Sequence, residues 1–376
     1  MRVAMLADEL FASRESALLA RLAVGLVGEG LRVVHCLHER TAALPLAPGM
    51  EGMAAGVVMI PPGGLFTGAR PRAARLHRRL AETFGKGRAP DLVHVFGGSL
   101  WHLGLRLAEE AQCPCAIEVW RGGQVPRAAA LGRRDHERPP PTFFAPDKNL
   151  ERALLAMEPS LAVRATPWGV HAPSELRPIL PSGRCSSAIM VGTGRDARTF
   201  NAAFEGLAQV ASRAEGFMIF ADTRAVRNAE TWRLARSLSV LDRLSLIENL
   251  EARRDVLLHG DVMVLPDAKG EQRTILLEAM AGGMLVVAMA DPLASTLLPN
   301  QTARLVERAD PREWAAAVEG LLTDREGAAA LAASARAFVR RERRASDHVK
   351  AVLDAYAWMT AGEPIGVRRA DAPPRP

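Results

Sequence analysis

"GEQRTILLEAMAGGMLVV", residues 270–287, reads as a turn, a short helix, a Gly-Gly break and a buried strand. The helix carries one acid, Glu278, among Ile275, Leu276, Leu277, Ala279, Met280 and Ala281. A carboxylate in such company either snorkels to solvent or is held for a ligand. The stretch before it, "VMVLPD" at 262–267, is another apolar strand. Apolar strands alternating with helices specify a parallel, doubly wound sheet.

The same grammar extends outward. "SAIMVGTG" (187–194) is a strand ending in a glycine turn, 199–212 a helix, and "GFMIFAD" and "LSLIEN" further strands. From 311 the chain reads as helix, over 311–323, 325–341 and 346–360. Upstream, "APSELRPILPSGRCS" (172–186) holds three prolines and no periodicity, and reads as a linker. Before it the alternation runs once already. Its strands are "MRVAMLA", "LRVVHCL", "GVVMIP", "PDLVHVFGG", "CAIEVW" and "AVRATPWGV"; its helices lie at 14–29, 69–80, 101–111 and 148–157. Residues 121–146, rich in Arg and Pro, read as a loop. The expected fold class is therefore α/β, with two Rossmann-like doubly wound parallel-sheet domains at 1–172 and 184–345. A linker at 173–183 joins them, they face a cleft, and a disordered tail follows from 361. In such sheets ligands sit beyond the carboxyl ends of the strands.

Composition agrees with an ordinary two-domain chain: 376 residues, 48% of them hydrophobic. Charges interrupt every long apolar stretch, so no transmembrane helix is expected. The start "MRVAMLADEL" has no signal-peptide pattern. Four scattered cysteines, Cys36, Cys113, Cys115 and Cys185, suit a reducing cytoplasm better than a disulfide framework. Cys113 and Cys115 have no second pair or nearby His to complete a metal site. The net charge of +6 concentrates in "ARPRAARLHRRL" (69–80), from Arg70 to Arg79. That helix is either a solvated face or a patch for an anionic lipid or substrate. No aromatics interleave its arginines, which argues against nucleic acid.

Three strand ends meet at one edge of the second half: "VGTGRDARTF" with Gly192, Gly194, Arg195 and Arg198; "IENLEARRD"; and the opening stretch, where Gly270 and Thr274 bracket a helix start. A helix N-terminus offers unpaired N–H groups and partial positive charge, which suit phosphate. With Arg198 opposite, it could hold a diphosphate without a metal, and the chain has no Asp-x-Asp. Glu278, one turn on, could accept two hydrogen bonds from a vicinal diol such as ribose.

"VMVLPDAKGEQRTILLEAMAGGMLVVA" resembles the donor-binding signature of the retaining glycosyltransferases of the GT-B fold, family 4. "PDLVHVFGG", "PWGV", "VGTGRDARTF" and "HVKAVLDAYAW" resemble further segments of that family, the last being the helix that crosses back onto the first domain. The resemblance implies transfer of a sugar from a nucleotide diphosphate sugar, with retention and no obligatory metal or other cofactor. The acceptor would be a glycan, a lipid-linked or a small molecule, and contact with the inner membrane face could run through Arg70–Arg79. Glu278 then matches the ribose-binding glutamate, and Arg198 the cation that neutralises the diphosphate. Thr274 and Ile275 match helix-start positions that meet phosphate, and Leu250 falls in the base-binding loop.

The chain departs from that pattern in places. The family's earlier glutamate corresponds to Gly270, with Glu271 one residue late. Glu271 and Arg198 are thus the catalytic candidates, and Gly192, Thr193, Arg195, Leu250, Gly270, Thr274, Ile275 and Glu278 the donor-binding ones. Thr193 replaces a basic residue, for which Arg195 could compensate; "FASRESA" (11–17) replaces a glycine-rich loop, and Trp120 a histidine. The alternatives are a scaffold of the same fold that binds without turnover, and a sugar-nucleotide epimerase.

Overall fold

The computed structural model describes residues 1–39, 56–62, 68–85, 87–133, 140–175, 178–181, 186–267 and 269–361. Cys185 and the tail from 362, expected to be disordered, lie outside the described residues.

Two parallel sheets form the molecule. The first contains β1 (Arg2–Ala7), β2 (Arg32–Leu37), β3 (Gly56–Met59), β4 (Leu92–Phe96), β5 (Cys115–Glu118), β6 (Thr142–Ala145) and β7 (Val163–Ala165), in the order β3-β2-β1-β4-β5-β6-β7. The second contains β8 (Ser187–Met190), β9 (Met218–Asp222), β10 (Leu244–Ile247), β11 (Val262–Leu265), β12 (Leu285–Met289) and β13 (Arg304–Val306), in the order β10-β9-β8-β11-β12-β13. Helices cover both faces, so the central strands are buried along their whole length, as β4 and β11 are.

Two strands and a helix went unread in the sequence. Residues 121–146 are not a loop throughout: they form the helix Val125–Gly132 and the strand β6. β6 and β13 are four and three residues long, too short to show a period. The first helix spans Glu9–Gly28, starting five residues before expectation, because the Asp8 carboxylate caps it by accepting from Phe11 N at 2.9 Å.

One apolar core runs through both halves. It joins Phe11, Leu19, Trp120 and Trp168 to Ile275, Met280, Phe338 and Tyr356. The last described helix, Ala345–Thr360, crosses back onto the first sheet and packs against Glu9–Gly28. The two helices approach closely at Gly25, where a Cβ would stand 2.5 Å from Val349 Cγ2. At the crossing, Val170 N donates to Arg343 O and Ala345 N to Val170 O. Tyr356, the chain's single tyrosine, is fully buried, and its hydroxyl lies 2.7 Å from His94 Nδ1. His94 Nε2 meets Glu118, which also accepts from Trp168 Nε1. Burial pushes the Glu118 carboxyl up to about 8, against the pull of the Trp168 indole.

The arginine helix runs Ala69–Phe84, four residues beyond its expected end. It buries Ala73, Leu76, Leu80 and Phe84 and leaves Arg70, Arg75, Arg78 and Arg79 exposed. Among the described residues no helix is long and apolar enough to cross a membrane. Cys36, Cys113 and Cys115 are free thiols.

Candidate functional site

Strand order reverses at β1/β4 in the first sheet and at β8/β11 in the second. Crevices at such reversals hold ligands in open α/β sheets, and here the two crevices face each other. On the first sheet Asp8 fills the gap, accepting from Ser99 N and Oγ at 3.2 and 3.0 Å. Gly97, at φ 97°, leaves room for it: a Cβ there would sit 2.1 Å from Asp8 Cγ. On the second sheet Gly192 lies against Asp267, which accepts from Thr193 Oγ1 at 2.9 Å.

Between the crevices, charged side chains of one domain meet those of the other. Glu15, from the first helix, caps the helix Thr274–Ala281: its carboxylate accepts from Thr274 N at 3.2 Å and from the Thr274 hydroxyl. Arg254 Nη2 lies 3.6 Å from Glu15 and donates to Arg14 O and Thr274 Oγ1. Glu271 takes Arg14 at 3.1 Å and Arg273 at 2.6 Å, with Arg121 at 3.8 Å. Glu251 pairs with Arg14 and Arg273. A backbone bond from Gln272 N to Trp120 O closes the seam at 2.8 Å.

Burial and charge set the protonation of this cluster. Burial raises the Glu15 carboxyl to about 7, because Arg254 and the Thr274 hydroxyl only partly oppose it. Glu251 is equally buried, but Arg273 and Arg14 outweigh the desolvation and hold its carboxyl low. Arg273 is raised against its own burial by Glu251 and Glu271.

Glu278 neither snorkels freely nor stands vacant: its Oε1 accepts from Arg21 Nη1 at 2.6 Å across the domain boundary, and Oε2 faces Arg254 Nε at 3.4 Å. Thr274 and Ile275 do begin the helix, with Thr274 bonded to Glu15. Gly270, at φ 72°, donates its N–H to Asp291 and lies 2.9 Å, from its would-be Cβ, to Gly122 N. Leu250 is fully buried and its N–H goes to Asp222 at 3.0 Å. Gly192, Thr193 and Arg195 line a cleft cavity of about 60 Å³, together with Ser13, Arg14 and Asn249. Arg198 does not join them. It is exposed and lines a separate open depression of about 730 Å³ with Asp196, Thr199, Arg308 and Asp310.

The residues that sequence reasoning passed over are the opposing partners Arg14, Glu15, Arg21, Arg254 and Arg273. A faint signal was present, since "FASRESA" puts an arginine and an acid where the resembled family has small residues. The pairing itself joins residues about 240 to 260 positions apart, as in Arg254–Arg14 and Glu15–Thr274, which no local pattern reveals.

Two facing, doubly wound domains with a returning C-terminal helix define the GT-B fold. Residues 187–324, spanning the second sheet, match the family model described as glycosyl transferases group 1, in agreement with the resemblance of "VMVLPDAKGEQRTILLEAMAGGMLVVA" at the level of a GT-B glycosyltransferase. Among solved structures, the chain is similar to Anabaena Alr3699/HepE in complex with UDP-glucose, with a TM-score of 0.74 at 13% identity, covering 95% of this chain and 100% of that one. It is similar to a sucrose-phosphate synthase from Thermosynechococcus elongatus (0.70, 17% identity, 96% and 100% covered). A glycosyltransferase from Rickettsia africae ESF-5 is similar as well (0.70, 14% identity, 96% and 99% covered). No curated protein matches the sequence.

Proposed function

We propose that the chain is a glycosyltransferase that moves a sugar from a nucleotide diphosphate sugar to a glycan, lipid-linked or small-molecule acceptor. It does so with retention, without a divalent metal, in the cytoplasm. One observation carries the reading: the start of helix Thr274–Ala281, in the cleft, already holds an oxyanion, the Glu15 carboxylate. A helix N-terminus backed by Arg254 and Arg273 suits a phosphate in the same place. Glu278 serves as ribose acceptor, Gly192, Thr193, Arg195, Leu250, Gly270 and Ile275 as donor-side contacts, and Glu271 as the reacting-end charge; Arg198, in its separate depression, is left out of this assignment. The complex of the similar Anabaena protein with UDP-glucose supports this kind of donor. The outward arginines of Ala69–Phe84 support contact with an anionic membrane surface.

Ligand pockets for nucleotide-sized molecules run to about 300–1,000 Å³, whereas the cleft cavity is about 60 Å³. Donor entry therefore requires the domains to part. The test is nucleoside diphosphate release from a panel of nucleotide sugars with added acceptors, in the presence and absence of a chelator. Release that survives the chelator is expected. Release abolished by the chelator and restored by magnesium or manganese would overturn the metal-free mechanism. A second reading, a scaffold that binds without turnover, is favoured by the internal saturation of Leu250 N, Gly270 N, Thr274 N and Glu278. Binding of a nucleotide sugar with no release under any acceptor would select it.

A further inference from the structure

We propose that Glu15 is an internal competitor for the donor: its carboxylate holds the diphosphate's place at Thr274, and donor binding must displace it and part the two domains. This rests on the glycosyltransferase reading above and adds a residue that sets donor affinity and couples binding to opening.

Geometry supports displacement. Glu15 is the one residue inside Glu9–Gly28 with non-helical torsions, φ −114° and ψ 28°. The preceding carbonyl, of Arg14, is turned to Arg254 Nη2. The first helix is thus already bent where it meets the second domain. The carboxylate is also a mediocre occupant of its site. It is 1% exposed, and its partners are one amide, one hydroxyl and a guanidinium 3.6 Å away, with the Glu251 carboxylate nearby as a like charge. A buried carboxylate so thinly paired is poorly stabilised as an anion, consistent with its carboxyl rising to about 7. A diphosphate offers more oxygens and more charge to the same N–H, to Arg254 and to Arg273, and removing Glu15 from the cleft relieves its repulsion with Glu251.

The experiment titrates inorganic pyrophosphate and uridine calorimetrically into the full chain and into Glu15→Gln. Losing the competing charge should tighten pyrophosphate binding by about ten- to a hundredfold, while uridine, which lacks phosphate, changes less than about threefold. Equal pyrophosphate affinity in both proteins overturns the proposal, as does an equal gain for uridine. If Glu15→Gln does not fold, Glu15→Asp, whose shorter side chain withdraws the carboxylate from Thr274, should shift affinity the same way by a smaller factor. Small-angle scattering adds a second readout: saturating pyrophosphate should enlarge the wild-type radius of gyration, and an unchanged radius overturns the coupling to opening. The underlying reading fails differently, through absent nucleoside diphosphate release in both proteins with every nucleotide sugar. Failure of the competitor alone leaves release present and indifferent to the substitution.

Discussion

Glu278 stands 15% exposed between Arg21 of the first domain and Arg254 of the second, and this double partnership decides what its removal does. Exposed ion pairs contribute about 0–1 kcal/mol, but a half-buried pair at 2.6 Å approaches a charge-assisted hydrogen bond of roughly 1.5–3 kcal/mol. Glu278→Gln keeps the shape and leaves Arg21 facing a neutral amide. Stability should fall by about 1–2 kcal/mol, and Arg21→Ala in the same background should add little. A double-mutant cycle in urea measures this, and simple additivity of the two losses would show that the pair is not coupled. The same substitution should weaken binding of a nucleoside through its ribose by about tenfold if Glu278 turns to a donor on opening. Arg198, in its separate depression, should leave the nucleoside untouched when changed to Ala.

Helix Ala345–Thr360 and helix Glu9–Gly28 meet where Gly25 faces Val349. An alanine at position 25 gains about 1 kcal/mol of helix propensity, yet its methyl overlaps Val349, and overpacking costs about 1–3 kcal/mol. Gly25→Ala should therefore destabilise the wild type. In a Val349→Ala background, where the space is free, the same substitution should stabilise, and urea midpoints of the four proteins read the change of sign directly. Losses of equal size in both backgrounds would place the strain elsewhere. Elements of this length were legible in the sequence: the helices 101–111, 148–157 and 311–323 fall at their expected bounds because each shows several turns of apolar period. β6 and β13 were not, being shorter than any pattern they could display. The site divides the same way. Gly270, Thr274, Ile275 and Glu278 sit on a recognisable local motif, whereas their partners Glu15 and Arg21 come from a distant segment brought to them only by docking of the domains, and Arg254 from another loop of the second domain.

For the molecule as a whole, buried titrating groups set a pH optimum of stability. Glu15 and Glu118 titrate at about 7 and about 8, above the ordinary 4.5, so the folded state holds extra protons and loses stability as pH rises through that window. His35, His94 and His348 are pushed down by burial to about 4, about 3 and about 3, so stability is lost as pH falls below 6.5. Below 6.5 three histidines outweigh two glutamates; above it only the glutamates act. The melting temperature should peak near pH 6.5 and drop by roughly 5 °C at pH 8, from about 2–3 kcal/mol of linkage. Glu118→Gln should flatten the alkaline limb, and a melting temperature that climbs steadily to pH 8.5 would contradict the assignment. The returning helix carries a consequence of another kind. Val352, Ala355 and Tyr356 belong to the same core as Val3 and Met5, so the first sheet lacks part of its interior until some 350 residues have been translated. Domains commonly fold in order as they leave the ribosome. Here the first to emerge has to wait for the last, and a chain stalled before residue 345 exposes the face of Glu9–Gly28 around Gly25 and the unfilled side of His94 to whatever chaperone or protease meets it first.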